Sequence, residues 1–268
     1  MSHLRRLWAG MLTRNVEDAG TDSRIALTVE GTQLTFPDTA QEDQEGGRAN
    51  LYEVGVQNHN IIPENLNNSS IRAVILGSDA WRPEHFVVWG ERFTGGAIVP
   101  LAIETGITAQ LSTDSSEGNA ALPLRLVATG SRSMNINRLL LMMTTANSDD
   151  AGTNDKIKLT ITTTSGGEVV DFDIPDTPQD DQEKGQANLY FVPVNSPFTR
   201  NSLGSNSIRL STSGTDAWRP ASLFLFGLDD AAGRPEALVP LVHLRTWPLE
   251  QLSTDSSEGS GSVALPRL

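Results

Sequence analysis

The chain has 268 residues, 38% hydrophobic, 20% charged and 6% aromatic, with no cysteine and a formal net charge of −13. That length accommodates two domains of ordinary size, and no apolar run approaches the roughly 18 residues of a bilayer span. The absence of cysteine excludes disulfides, thiolate metal sites and thiol nucleophiles. The charge, 9 Arg against 16 Asp/Glu up to Ala128 and 11 Lys/Arg against 17 after it, excludes the broad basic face that nucleic acid requires.

Taken in order, Met1 to Leu12 puts Arg5 and Arg6 ahead of apolar residues, as a leader would. The apolar part is short and runs straight into Thr13-Arg14-Asn15, so it reads as a first β-strand and not as a signal peptide. The expected location is then cytoplasmic or within an assembled particle. A loop, Asp18-Ala19-Gly20-Thr21-Asp22, leads to the alternating, β-branched run Arg24 to Val29, the pattern of a half-buried strand. An acidic stretch, Gln41 to Gly47, reads as a solvated loop. Gly47 to Tyr52, Ile71 to Leu76 and Phe86 to Gly90 read as further strands, the last two separated by Asp79-Ala80-Trp81-Arg82-Pro83. A Ser-rich turn, Gln110 to Gly118, closes the set.

The chain then repeats itself. Ala19-Gly20-Thr21-Asp22 recurs as Ala151-Gly152-Thr153-Asn154 at an offset of 132, and Ala49-Asn50-Leu51-Tyr52 as Ala187-Asn188-Leu189-Tyr190 at 138. The Trp turn recurs as Asp216-Ala217-Trp218-Arg219-Pro220 at 137, and Gln110 to Gly118 recurs verbatim as Gln251 to Gly259 at 141. A period of that size is a whole domain, not a solenoid unit. Short strands between turn residues, with almost no helical period, predict two tandem antiparallel β-sandwiches, all-β, over residues 1–128 and 129–268. Ala128 to Met134 is the natural joint.

In that order the motifs resemble the PLAT (LH2) domain, a β-sandwich attached to lipoxygenases, lipases and some membrane proteins. The residues carrying the resemblance are the Gly-Thr-Asp loop, the Gly-then-aromatic strand at Gly47 to Tyr52, Asp79-Ala80-Trp81, the apolar strand after it and the closing turn, each with its counterpart in the second copy. The family's aromatic ending survives as Trp247 in the second copy and has no counterpart in the first.

The resemblance implies a calcium ion near the Gly-Thr-Asp loop. Calcium takes six to eight oxygens from carboxylates and loop carbonyls. The candidate ligands are Asp18, Gly20, Thr21, Asp22 and Asp79 in the first copy, and Asp150, Gly152, Thr153, Asn154 and Asp216 in the second. The competing reading is that each loop is only a turn and each Asp before Trp only a cap. Trp81 and Trp218 read as core plugs whose indole N–H meets a loop carbonyl, with lipid insertion or ligand stacking as the competing reading. Trp247 is the expected anchor toward a membrane or partner. No nucleophile elbow, His-Glu-x-x-His or P-loop occurs, and the four histidines have no metal-ligand spacing. The expected function is a non-catalytic module, attaching to a lipid surface or protein partner with calcium assistance. The alternative is a structural subunit of a shell, filament or virion, assembled from many copies.

Overall fold

A computed structural model describes residues 2–37, 44–175, 181–230, 237–247 and 251–268. The chain divides into two compact units, Met1–Thr129 and Gly130–Leu268. Both are all-β. The first contains β1 (Leu4–Thr13), β2 (Ile25–Val29), β3 (Thr32–Thr35), β4 (Ala49–Gly55), β5 (Ile71–Ile75), β6 (Pro83–Arg92), β7 (Ile98–Thr105), β8 (Ala121–Pro123) and the two-residue β9 (Ala128–Thr129). The second contains β10 (Ile136–Thr145), β11 (Ile157–Thr162), β12 (Glu168–Asp173), β13 (Ala187–Phe198), β14 (Ile208–Thr212), β15 (Pro220–Asp229), β16 (Ala237–Leu244), β17 (Gln251–Leu252), β18 (Gly259–Ser260) and β19 (Ser262–Ala264).

In the first unit β7, β6, β1 and β4 neighbour one another in that order, all antiparallel. The facing sheet runs β3-β2-β5-β8, also antiparallel. The second unit has the same two orders, β16-β15-β10-β13 and β12-β11-β14-β19. Successive side chains on a strand point to opposite faces, so alternate residues of each sheet meet in the middle. Leu7, Ala9 and Met11 of β1 meet Ile25, Leu27 and Val29 of β2 and Ile71, Ala73 and Ile75 of β5 in one core. Leu139, Leu141 and Met143 of β10 meet Ile157, Leu159 and Ile161 of β11 and Ile208 and Leu210 of β14 in the other. On the opposite face of the first sheet Trp8 and Trp89 stand directly across from each other and stack at 6.1 Å, with Trp8 Nε1–H donating to Glu53 Oε2 at 3.1 Å.

Among the described residues the only helical turns are two three-residue 3-10 turns, Pro63–Asn65 and Arg200–Ser202. The acidic stretch expected as a loop at 41–47, like the acidic stretch 179–185 in the second unit, lies partly outside the described residues. What is described there is pinned from inside: Gln44 and Gln182 are buried with φ of 56° and 61°. Each donates its side-chain amide to a buried tyrosine hydroxyl, Gln182 to Tyr190 at 2.8 Å and Gln44 to Tyr52. No described helix is long and apolar enough to cross a membrane.

Candidate functional site

The Gly-Thr-Asp loop and the Asp before Trp do come together, in both units and by the same bonds. Thr21 Oγ1 donates to Asp79 O at 3.1 Å, and Asp22 N–H donates to Asp79 Oδ2 at 2.9 Å. Ser23 N–H returns to Thr21 Oγ1, and Asp79 N–H reaches Ser23 Oγ, both at 3.0 Å. In the second unit Thr153 donates to Asp216 O at 3.2 Å and Asn154 N–H to Asp216 Oδ2 at 3.1 Å. There Asp155 takes the place of Ser23, its Oδ2 accepting Asp216 N–H at 2.7 Å. Asp18 and Asp150 enter the loop with φ of 54° and 55°, in the left-handed region that Asp tolerates better than most residues. Gly20 and Gly152 are needed for close approach: a Cβ would lie 3.1 Å from Gln44 O at one and 3.3 Å from Gln182 O at the other.

The aspartate ahead of each tryptophan is therefore an exposed cap on one backbone amide of the neighbouring loop. Around the first clasp lies an open polar depression of about 630 Å³, lined by Val16, Glu17, Asp18, Asp22, Glu45 and Asp79 among others. Among the described residues no three acidic or imidazole groups gather closely enough to hold a cation between them. Asp79 Oδ2 and O already accept hydrogen bonds, and Ala19 O accepts Arg82 N–H at 3.0 Å, as Ala151 O accepts that of Arg219.

The Trp turn is the hinge pin of the same end. Trp81 and Trp218 are fully buried, and a buried indole removes roughly 150–250 Å² from water, about 4–6 kcal/mol at about 25 cal/mol per Å². Their N–H partners are not loop carbonyls but threonine hydroxyls at the ends of β1 and β10, Thr13 and Thr145, each at 2.9 Å. Both backbones pair with the verbatim repeat. Trp81 exchanges two bonds of 2.8 Å with Leu111, and Trp218 exchanges bonds of 2.8 and 2.9 Å with Leu252.

That repeat is fixed almost residue by residue. Gln110 Oε1 accepts Arg82 Nε–H at 2.8 Å, and Gln251 Oε1 accepts Arg219 Nη2–H at 3.1 Å. Ser112 Oγ donates to Glu117 Oε2 at 3.0 Å and accepts Asp114 N–H at 3.1 Å. Thr113 Oγ1 donates to Gly77 O at 2.9 Å. Asp114 Oδ1 takes both the amide and the hydroxyl of Ser116, which holds its carboxyl below the usual aspartate range; Ser257 does the same for Asp255. Gly118 passes against Gln110 O, where a Cβ would stand at 2.3 Å. Eight of the nine identical residues, all but Ser115 and its counterpart Ser256, thus take part in one self-capped loop that clips the Trp turn.

Trp247 is half-buried and packs against the second unit's core, its amide donating to Ala221 O at 2.7 Å. Outward contact there is confined to the part of the ring left uncovered. Two apolar residues that the sequence does not single out are far more open: Val16 at 51% and Leu76 at 43% exposure. Both lie at the first unit's clasped end, Val16 on the wall of the depression and Leu76 following β5. The offsets that align the two copies put Ser148 and Ser213 in their places in the second unit. Only the folded loops reveal this, since a lone valine or leucine between strands has no pattern to mark it.

No protein-family model and no curated protein matches the chain. Among solved structures, the alpha toxin from Clostridium absonum aligns with a TM-score of 0.39 at 18% identity, over 51% of this chain and 33% of that one. The Clostridium perfringens alpha-toxin isolated from avian strain SWCP aligns at 0.33 and 19%, over 41% of this chain and 30% of that one. The aligned part is about a third of those structures.

Proposed function

We propose that the chain is a pair of PLAT-like sandwiches forming a non-catalytic binding module, and that the clasped end of the first unit makes the contact, with a lipid surface as its target. The observation that carries the reading is the exposure of Val16 and Leu76 at that end, on loops held in place by the Asp79 clasp. Exposed apolar side chains on a braced loop can leave water for an interface without the loop having to reorder, and the ordering entropy is already met on folding. The acidic rim beside them opposes an anionic surface, so the reading favours a neutral, zwitterionic one.

The calcium-assisted form of the reading has the carboxylates around the depression in its favour, and Asp79 keeps acceptor sites beyond the one that takes the Asp22 amide. Co-sedimentation with phosphatidylcholine vesicles tests both forms. Wild type is expected to pellet, and the double substitution Val16→Ser, Leu76→Ser to remain in the supernatant with its unfolding midpoint unchanged. Pelleting that rises with calcium in wild type and not in Asp79→Asn would support the assisted form. Equal pelleting of wild type and double variant would reject the surface named here.

A further inference from the structure

The two units differ in character at a corner where their backbones agree. Each has its 3-10 turn there, Pro63–Asn65 in one and Arg200–Ser202 in the other. Each also has a leucine after its last sheet strand donating to the start of a neighbouring strand, Leu124 N–H to Ile71 O and Leu265 N–H to Ile208 O, both at 2.9 Å. That register puts Arg200 in the place of Pro63, and Arg267 in the place of Leu126. In the first unit Pro63 and Leu126 line a hollow of about 200 Å³ beside the Glu64–Arg92 ion pair. The second unit fills the equivalent corner with positive charge.

A third arginine joins them. Arg132 O accepts Asn201 N–H at 3.1 Å, which brings Arg132 beside the turn. Arg267 Nη1 donates to Arg200 O at 3.3 Å and to Leu203 O, and Arg200 Nη2 donates to Leu268 O. Arg132 and Arg267 are exposed and Arg200 is half-buried. Some described cations elsewhere pair with carboxylates, as Arg5, Arg92, Arg138, Lys158 and Lys184 do. None of the three has an Asp or Glu side-chain partner among the described residues, and Arg200 is held to Leu268 O. Burial, then the like charges of Arg132 and Arg267, push the pKa of Arg200 down. In a chain of net charge −13, a corner that gathers three cations against one another and sets no Asp or Glu side chain against them keeps an excess of positive charge that suits an anion from outside.

We infer that Arg132, Arg200 and Arg267 form a binding site for a phosphoryl oxyanion. A single carboxylate is matched by one bidentate guanidinium, whereas a phosphoryl group offers three oxygens and up to two charges, enough for three forks. Lysines would supply charge without the planar pairs of donors, and this corner uses arginine three times. The same chemistry occurs in a free phosphate and in a lipid phosphate headgroup. The inference is independent of the proposed apolar contact, which lies in the first unit, at its clasped end.

Calorimetric titration of the full chain with inorganic phosphate at low salt tests it, beside co-sedimentation with phosphatidylcholine vesicles containing phosphatidic acid. Wild type is expected to bind phosphate. Arg132→Gln, whose side chain braces nothing described, should weaken binding about tenfold, the loss of one charge-assisted hydrogen bond, with the unfolding midpoint kept. Arg200→Lys should weaken it as well, while Arg72→Gln, an exposed arginine of β5, and the double substitution Val16→Ser, Leu76→Ser should bind phosphate like wild type. Vesicle binding that rises with phosphatidic acid and is competed by free phosphate assigns the lipid source; phosphate binding without such a rise assigns the soluble one. No heat and no phosphatidic-acid dependence would overturn the site, and so would Arg132→Gln and Arg267→Gln variants that bind like wild type.

Discussion

The indole N–H of Trp81 donates to Thr13 Oγ1 at 2.9 Å inside the first unit, and Trp218 repeats the bond to Thr145 at 2.9 Å in the second. Both threonines sit where the pairing with the next strand slips, between Leu12 and Thr13 against β6 and between Thr144 and Thr145 against β15. An irregularity of this kind re-aims a side chain, and here the hydroxyl finds an indole that has no water to fall back on.

Thr13→Val keeps the shape and removes the acceptor, leaving a buried N–H unpaired. The expected loss is about 1–3 kcal/mol, read as a lower urea midpoint at unchanged slope. Thr13→Ser should recover most of it. A valine variant as stable as wild type would show that the bond contributes nothing net.

The verbatim repeat can be tested at its tightest point. A Cβ on Gly118 would stand 2.3 Å from Gln110 O, and one on Gly259 2.1 Å from Gln251 O. Gly118→Ala must spread the loop that clips Trp81, and should lower stability by roughly 1–3 kcal/mol, the range for forced overpacking. Gly167→Ala, whose nearest neighbour is Thr163 Oγ1 at 3.5 Å, should unfold within error of wild type. Thermal unfolding of the two variants side by side decides the matter.

Acid stability should depend on Glu91. Burial alone would raise its pKa, but the hydrogen bonds and charges of Arg5 and Arg6 outweigh that and hold it below the ordinary value of 4.5. A folded pKa below the unfolded one gives stability that is complete above about pH 4.5 and lost as the pH falls through the folded value. Wild type should therefore lose stability more steeply than Glu91→Gln between about pH 5 and pH 3. Urea unfolding at several pH values in that window measures it, and parallel curves would contradict it.

The sheets were legible because alternation is a local property: Ile25, Leu27 and Val29 announce their face in five residues. The burial of Trp81 could be argued from its apolar flanks. Its partner could not, because Thr13 lies 68 residues away and only the slip in β1 aims it. The Gly-Thr-Asp loop was visible as a neighbour of Asp79, but which way the carboxylate turns is a matter of backbone geometry; it turns to the Asp22 amide. The basic corner was invisible for the same reason. Arg132, Arg200 and Arg267 are each separated by more than sixty residues, and only the 3-10 turn and the C-terminal segment bring them together.

The most direct measurement uses the absence of cysteine. Val16→Cys can be labelled at one position with an environment-sensitive fluorophore, and Ser148→Cys gives the matching position in the second unit. On adding phosphatidylcholine vesicles the label at residue 16 should shift to the blue, as it leaves water, while the label at 148 stays unchanged. A shift at 148 alone, or at neither position, would contradict the assignment of the first unit's clasped end as the contact surface.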